Sequence, residues 1–198
     1  MRNEPAATSN AAAPWWRRIP WVTVAVLTLL VAYNIHWYRS HPASSGQAGP
    51  QSGLIGHPAP GFSLRTMASG EVTSLAATQG RVRLIDFWSV GCGPCKREMP
   101  ALAALSRDLA ASPFSLLSVN IDADMSDRGG AIQRALGGAE GAFPVLLDDG
   151  AVAESYAVYR IPLKLLLDRS GVVRKVYTGG SDPDELRADI DALLAAKD

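Results

Sequence analysis

Residues 54–198 read as an α/β sandwich, a mixed central sheet flanked by helices. Three observations lead there. Apolar runs of strand length alternate with segments of helical periodicity, and the chain then closes with two strands, a tight turn between them, and a capped helix. The only two cysteines, Cys92 and Cys95, stand where a strongly apolar strand meets a helix start. Open α/β sheets place their sites at such strand ends.

Taken in order, the chain begins with a distinct block. Residues 19–38 contain no Asp, Glu, Lys or Arg, and a bilayer-spanning helix needs about 20 residues. Trp15, Trp16 and Trp21 lie at one end and Tyr33, Trp37 and Tyr38 at the other, as amphipathic rings do at the two membrane interfaces. The block is expected to be one N-terminal transmembrane helix. Arg2, Arg17 and Arg18 precede it, and after Arg39 no Lys or Arg occurs until Arg65. The positive-inside bias then puts residues 1–18 in the cytoplasm and the rest outside. In a bacterium this is a single-pass inner-membrane protein with a periplasmic C-terminal domain. A cleaved signal peptide is the rival reading, with Arg17-Arg18 as its charged start and Pro42-Ala43-Ser44 as a weak cleavage site. Asn34 and His36 leave only residues 22–32 strongly apolar. Residues 39–53, rich in Ser, Gly, Pro and Gln, are expected to be a flexible linker spanning roughly 20 Å.

In the domain, residues 62–64 and 71–75 flank Ser69-Gly70 and are expected to form an N-terminal hairpin. Residues 82–88 are a strong strand. Residues 94–110 form a helix with Met99, Leu102, Leu105 and Leu109 on one face and a kink expected at Pro100. Residues 114–121 give a second strong strand, 131–136 a short helix, 143–147 a short strand and 151–156 another short helix. Residues 163–167 and 172–177 are strands joined by the turn Asp168-Arg169-Ser170-Gly171. Asp182 as N-cap, Pro183 at the first helical position and Glu185 after it start a last helix that ends near residue 195.

Composition excludes some functions. Lys plus Arg and Asp plus Glu are both 19, so no net charge favours nucleic acid. With both cysteines in one motif, none is left for a structural disulfide.

Cys92-Gly93-Pro94-Cys95 follows Leu84-Ile85-Asp86-Phe87-Trp88 and a short turn. In that setting a C-x-x-C reads as redox-active. Cys92 would stand at a helix N-terminus, where unpaired N–H groups and the dipole favour the thiolate, the nucleophile of disulfide exchange. Gly93 permits the tight entry and Pro94 fits the first turn. Cys95, one turn in, would resolve the mixed disulfide. Structural zinc needs four ligands, and no second C-x-x-C exists. Covalent haem needs His after the second Cys, and here Lys96 follows. Two acids are placed to help. Asp86 interrupts a strand expected to be buried, where a carboxyl can exchange a proton near neutrality and could deprotonate Cys95. Its plainer reading is a hydrogen-bonding acid at a sheet margin. Glu98 lies three residues after Cys95, with a dipole-complementing acid as the equal alternative. Pro162 marks a strand entry. X-Pro bonds are cis in about 5–6% of cases, so the residues alone leave Ile161-Pro162 open.

These pieces together resemble the thioredoxin superfamily, in particular its membrane-anchored TlpA/ResA/CcmG group. The matching segments are Gly56-His57-Pro58-Ala59-Pro60-Gly61-Phe62-Ser63-Leu64, Ile85-Asp86-Phe87-Trp88, Cys92 through Pro100, Val119-Asn120-Ile121-Asp122, Phe143-Pro144-Val145 and Tyr156 through Pro162. The resemblance implies a thioredoxin fold, with Cys92 as attacking and Cys95 as resolving thiol. It implies a cis Pro162 facing the disulfide, with Gly93, Pro94 and Ile161 on the substrate-docking surface. Glu98 matches the acid of ResA-like sites, and Asp86 the buried acid of thioredoxin. The sequence departs from the family at Gly91, where Trp is usual, at Arg160, and at Leu163-Lys164, where Thr-Thr is usual. All three departures are expected around the docking surface.

The function so implied is a membrane-anchored periplasmic thiol–disulfide oxidoreductase. It would reduce protein disulfides, for example in cytochrome c maturation. Its partners would be protein disulfide or dithiol substrates and a DsbD/CcdA-type membrane electron donor. No cofactor or metal beyond the Cys92–Cys95 redox pair is expected. The alternative is a thioredoxin-like Cu(I) metallochaperone, since two thiolates suit Cu(I).

Overall fold

The computed structural model describes residues 21–40, 50–122 and 127–196. The chain divides into two compact units, 1–44 and 45–198.

In the first unit, α1 (Trp21–Ser40) is a regular helix. Among the described residues, no helix is long and apolar enough to cross a membrane. The expected transmembrane helix is therefore corrected. Its apolar stretch, residues 22–32, rises about 16 Å as helix against a hydrocarbon core of about 30 Å, and Asn34 and His36 follow it. The flanking Arg2, Trp15, Trp16, Arg17 and Arg18, and linker residues 41–49, lie outside the described residues.

The second unit is built on a sheet of β1 (Ser63–Thr66), β2 (Val72–Ser74), β3 (Val82–Trp88), β4 (Phe114–Asn120), β5 (Val145–Leu147), β6 (Leu163–Leu167) and β7 (Val173–Thr178). The seven-stranded order is β2-β1-β5-β4-β3-β6-β7. β3 runs parallel to β4, β4 parallel to β5, and the remaining pairs are antiparallel. The mixed sheet matches the expectation, and the hairpin β1–β2 extends it beyond β5.

The helices are α2 (Gly93–Asp108), α3 (Arg128–Leu136), α4 (Ala151–Ser155) and α5 (Pro183–Ala195). Every residue of β3 is buried, as expected of a strand covered on both faces. Side chains alternate across it. Leu84 and Trp88 join a cluster with Met99 and Leu102 of α2, Ile132 of α3 and Ile190 of α5. Ile85 and Phe87 join the opposite cluster with Leu64, Leu75, Val152 and Tyr156. α2 runs unbroken through Pro100, which is exposed. β5 begins at Val145, later than expected, and the Pro144 carbonyl accepts the Ser118 N–H at 3.2 Å.

α5 starts as its sequence requires. The Asp182 carboxylate accepts N–H bonds from Asp184 at 2.9 Å and Glu185 at 3.4 Å. Losing such a cap costs about 1 kcal/mol. Asp182→Ala is expected to lower the melting temperature by about 3 °C, read by circular dichroism. An unchanged melting curve would show that the cap contributes nothing.

Candidate active site

β3 delivers the chain to the motif. At its end the Trp88 carbonyl accepts the Ile121 N–H at 3.0 Å, which ties the strand end to the residue after β4. The turn that follows is held by Asp122, whose Oδ2 accepts the Val90 N–H and the Asn120 Nδ2–H, both at 2.7 Å. Arg128 locks this corner by donating to the Asn120 and Asp148 carbonyls, each at 2.6 Å. Sequence reasoning matched Asn120 and Asp122 by resemblance only and missed their work, which is to aim the loop before Cys92.

Cys92 is the N-cap of α2, and Gly93 and Pro94 are its first helical residues. Pro94 costs no hydrogen bond in the first turn. Cys92 and Cys95 are joined as a disulfide with Cα atoms 5.3 Å apart. The Cys95 N–H points at Cys92 Sγ, 3.2 Å away. That amide, with the helix dipole, stabilises negative charge on Cys92 when the bond opens. Cys92 is 9% exposed and Cys95 2%. An attacking partner therefore reaches Cys92 first.

The Ile161–Pro162 peptide is cis. Pro162 is buried, and its carbonyl accepts the Gly179 N–H at 2.9 Å. It precedes Leu163, which pairs with Phe87, so it stands at the same sheet end as the motif. Ile161 packs partly buried against both core clusters. Gly91 and Arg160 are exposed, and Tyr159 beside Arg160 is 80% exposed.

Leu163 and Lys164, expected on the docking surface, are instead both fully buried. The register gives the reason. Lys164 lies directly opposite Asp86 on the neighbouring strand, so both side chains leave the sheet on one face. That face carries α2. The Lys164 ammonium sits 2.7 Å from Glu98 Oε2 and 3.8 Å from Asp86 Oδ1. The other Glu98 oxygen, Oε1, accepts the Ser181 N–H at 2.6 Å and the Ser181 hydroxyl at 3.1 Å. The structure thus joins Asp86 and Glu98 through a residue that sequence reasoning had assigned elsewhere. The signal was present, since Lys164 interrupts Leu163-Lys164-Leu165-Leu166-Leu167 as Asp86 interrupts its own apolar run.

Burial pushes the Asp86 carboxyl up to about 6; Lys164 opposes this and Glu98 adds to it. Asp86 Oδ2 has no hydrogen-bond partner, leaving it open to a proton. Trp88 Nε1 and Ser118 Oγ on the same face are likewise unpaired. Among the described residues, no group of His, Cys, Asp and Glu gathers as a metal site.

A capped dithiol at the end of a central strand, with a buried acid on the same sheet face, defines the class of thiol–disulfide oxidoreductases. The chain belongs to the Redoxin family, whose profile matches residues 54–194. Thioredoxin-like protein YneN of Bacillus subtilis is 30% identical over 172 residues, 86% of this chain and 96% of that protein. The thiol:disulfide interchange protein DsbE of Pseudomonas fluorescens is 29% identical over 182 residues, 88% of this chain and 96% of that one. A Chlorobium tepidum structure assigned to the DsbE type superimposes with a TM-score of 0.64 at 30% identity, covering 71% of this chain and 98% of its own. The protein is a thioredoxin-superfamily member of the TlpA/ResA/CcmG kind, and an oxidoreductase of ResA/DsbE type.

Proposed function

We propose that the domain reduces protein disulfides outside the cytoplasm. Its dithiol would be regenerated by a DsbD/CcdA-type membrane donor, and the haem-site cysteines of an apocytochrome c are the first substrate to try. The observation that carries the direction is the charge beneath the motif. C-x-x-C proteins become oxidants when the reduced form, chiefly its thiolate, is stabilised. Here the one buried ammonium among the described residues, Lys164, is shared by two carboxylates, Asp86 and Glu98. A site whose nearby charge sums to negative disfavours a thiolate and holds its electrons loosely. The extracytoplasmic placement is supported by Arg17-Arg18 ahead of a short apolar run, the layout of a secretion signal. No cofactor beyond the disulfide enters this reading.

Equilibration of the protein with a graded dithiothreitol series tests it. The potential is expected toward the thioredoxin end of the range, about −270 mV, together with reduction of a haem-site C-x-x-C-H peptide disulfide. A potential near the DsbA end, about −120 mV, would overturn the reductant reading.

A further inference from the structure

We propose that Lys164 is a positioning residue for disulfide exchange: its buried ammonium, lying between Asp86 and Glu98, keeps Asp86 available as the base that takes the proton of Cys95. Lys164 is fully buried, and the contact distances leave no other anionic side chain so close to it among the described residues. An ammonium out of water is costly unless paired, so the site is built around charge compensation.

The step in question resolves a mixed disulfide. Cys92 Sγ is bonded to a partner sulfur, and Cys95 carries a thiol. Asp86 takes the thiol proton. The Cys95 thiolate attacks Cys92 Sγ, the Cys92–Cys95 disulfide forms, and the partner leaves as a thiolate that takes a proton from solvent. Over the attack by Cys92 and this resolving step together, two electrons pass from the dithiol to the partner disulfide. The step requires Asp86 to be ionised beforehand. Burial and the Glu98 carboxylate both work against that, and Lys164 is the group that opposes them.

Among the described residues, the paired strands bring no other cation to Asp86. On β4, Ser118 lies opposite Asp86 and is uncharged. On β7, Tyr177 lies opposite Lys164 and donates its hydroxyl to Asp189 of α5 at 2.6 Å. Burial and Asp189 push that phenol up, so it stays neutral. Asp189 is in turn paired with Lys175 at 2.5 Å. From α2 come Glu98 and Cys95, and from the turn before α5 comes Ser181, which donates two hydrogen bonds to Glu98. Glu98 is therefore held from two sides. Its side chain keeps 16% exposure, so it is also the member of the trio nearest solvent.

The test uses the full chain, reduced, with 5,5′-dithiobis(2-nitrobenzoate) as the partner. Attack by Cys92 releases one thionitrobenzoate, and resolution by Cys95 releases the second. The rate of the second release is followed against pH. Because this reagent reports exchange whatever the physiological direction, the result is independent of the reductant reading. In the wild type, the rate is expected to rise through a midpoint near 6, where Asp86 ionises. In Lys164→Met, that midpoint is expected to move up by at least about one pH unit, with an approximately tenfold slower release below the new midpoint. Glu98→Gln/Lys164→Met removes one charge of each sign, and its profile is expected to return toward the wild type. Loss of packing alone would leave the double variant as slow as the single one, and that outcome would overturn the proposal. So would an unmoved midpoint in Lys164→Met. If Lys164→Met does not fold, Glu98→Gln decides the matter. With Lys164 then serving Asp86 alone, its midpoint is expected below the wild-type value, and an unchanged midpoint there counts against the proposal.

Discussion

Cys92→Ser is expected to bring disulfide exchange to background, while Cys95→Ser still attacks substrates and then stops. The asymmetry follows from position. Cys92 caps α2, is the more exposed of the pair, and receives the Cys95 N–H on its sulfur. Without Cys92 no nucleophile faces the partner, and Cys95 at 2% exposure cannot replace it. Without Cys95, the mixed disulfide on Cys92 has no internal thiol to break it. Covalent adducts should therefore accumulate in Cys95→Ser and vanish on reduction, as read by non-reducing electrophoresis and mass spectrometry. Equal trapping by both variants would mean that the roles are shared or reversed. Either serine also removes the short covalent ring. The oxidised protein is then expected to lose roughly 2 kcal/mol of stability, while the reduced protein changes little.

Much of this site could be read in the sequence because its signals were local. An apolar run, a short turn and C-G-P-C specify a strand, a cap and a helix within residues 82–108, and Asp182-Pro183 announced α5 in the same way. α3 was less legible. It begins at Arg128, three residues before the expected start, and Gly129-Gly130 disguised that turn as loop. A Cβ at 130 would stand 2.6 Å from Asp127 Oδ1, but that carboxylate is exposed and can swing aside, so packing alone does not demand glycine there. Residues 19–38 differ for another reason: they are free of charge over a sufficient length, but their apolar content is concentrated in residues 22–32. Lys164 was misplaced because its setting depends on register. Which face a strand residue takes is settled by the strand it pairs with, and β6 meets β3 from about eighty residues away in sequence. The two charges that face each other across those strands each break an apolar run. Only the pairing shows that they belong together.

Asp86→Asn is expected to stabilise the oxidised domain at pH 8 and leave it nearly unchanged below about pH 3. The folded-state carboxyl is held at about 6, above its ordinary value of 3.8, chiefly by burial. Below about pH 3 the folded and unfolded chains both carry the proton, and the buried acid is neutral in each. As the pH rises from just below 3.8 to about 6, the unfolded chain loses the proton while the folded chain keeps it, so stability falls across this window. Above it, the folded chain carries a buried carboxylate and the deficit stays constant, on the order of 2–3 kcal/mol. Asparagine has the same shape and no charge, so it removes the deficit. Lys164 retains Glu98 at 2.7 Å, which keeps the ammonium paired in the variant. Denaturant unfolding of wild type and variant at several pH values between 3 and 8 reads the difference directly. The two curves should meet at the acid end and separate between about pH 4 and pH 6. A variant no more stable than the wild type at pH 8 would show that Lys164 already compensates Asp86 in full. The same substitution removes the base for Cys95, so the gain in stability should come with a slower resolving step. Such opposed effects are what a desolvated proton acceptor in the core produces, and a merely structural carboxylate would show neither.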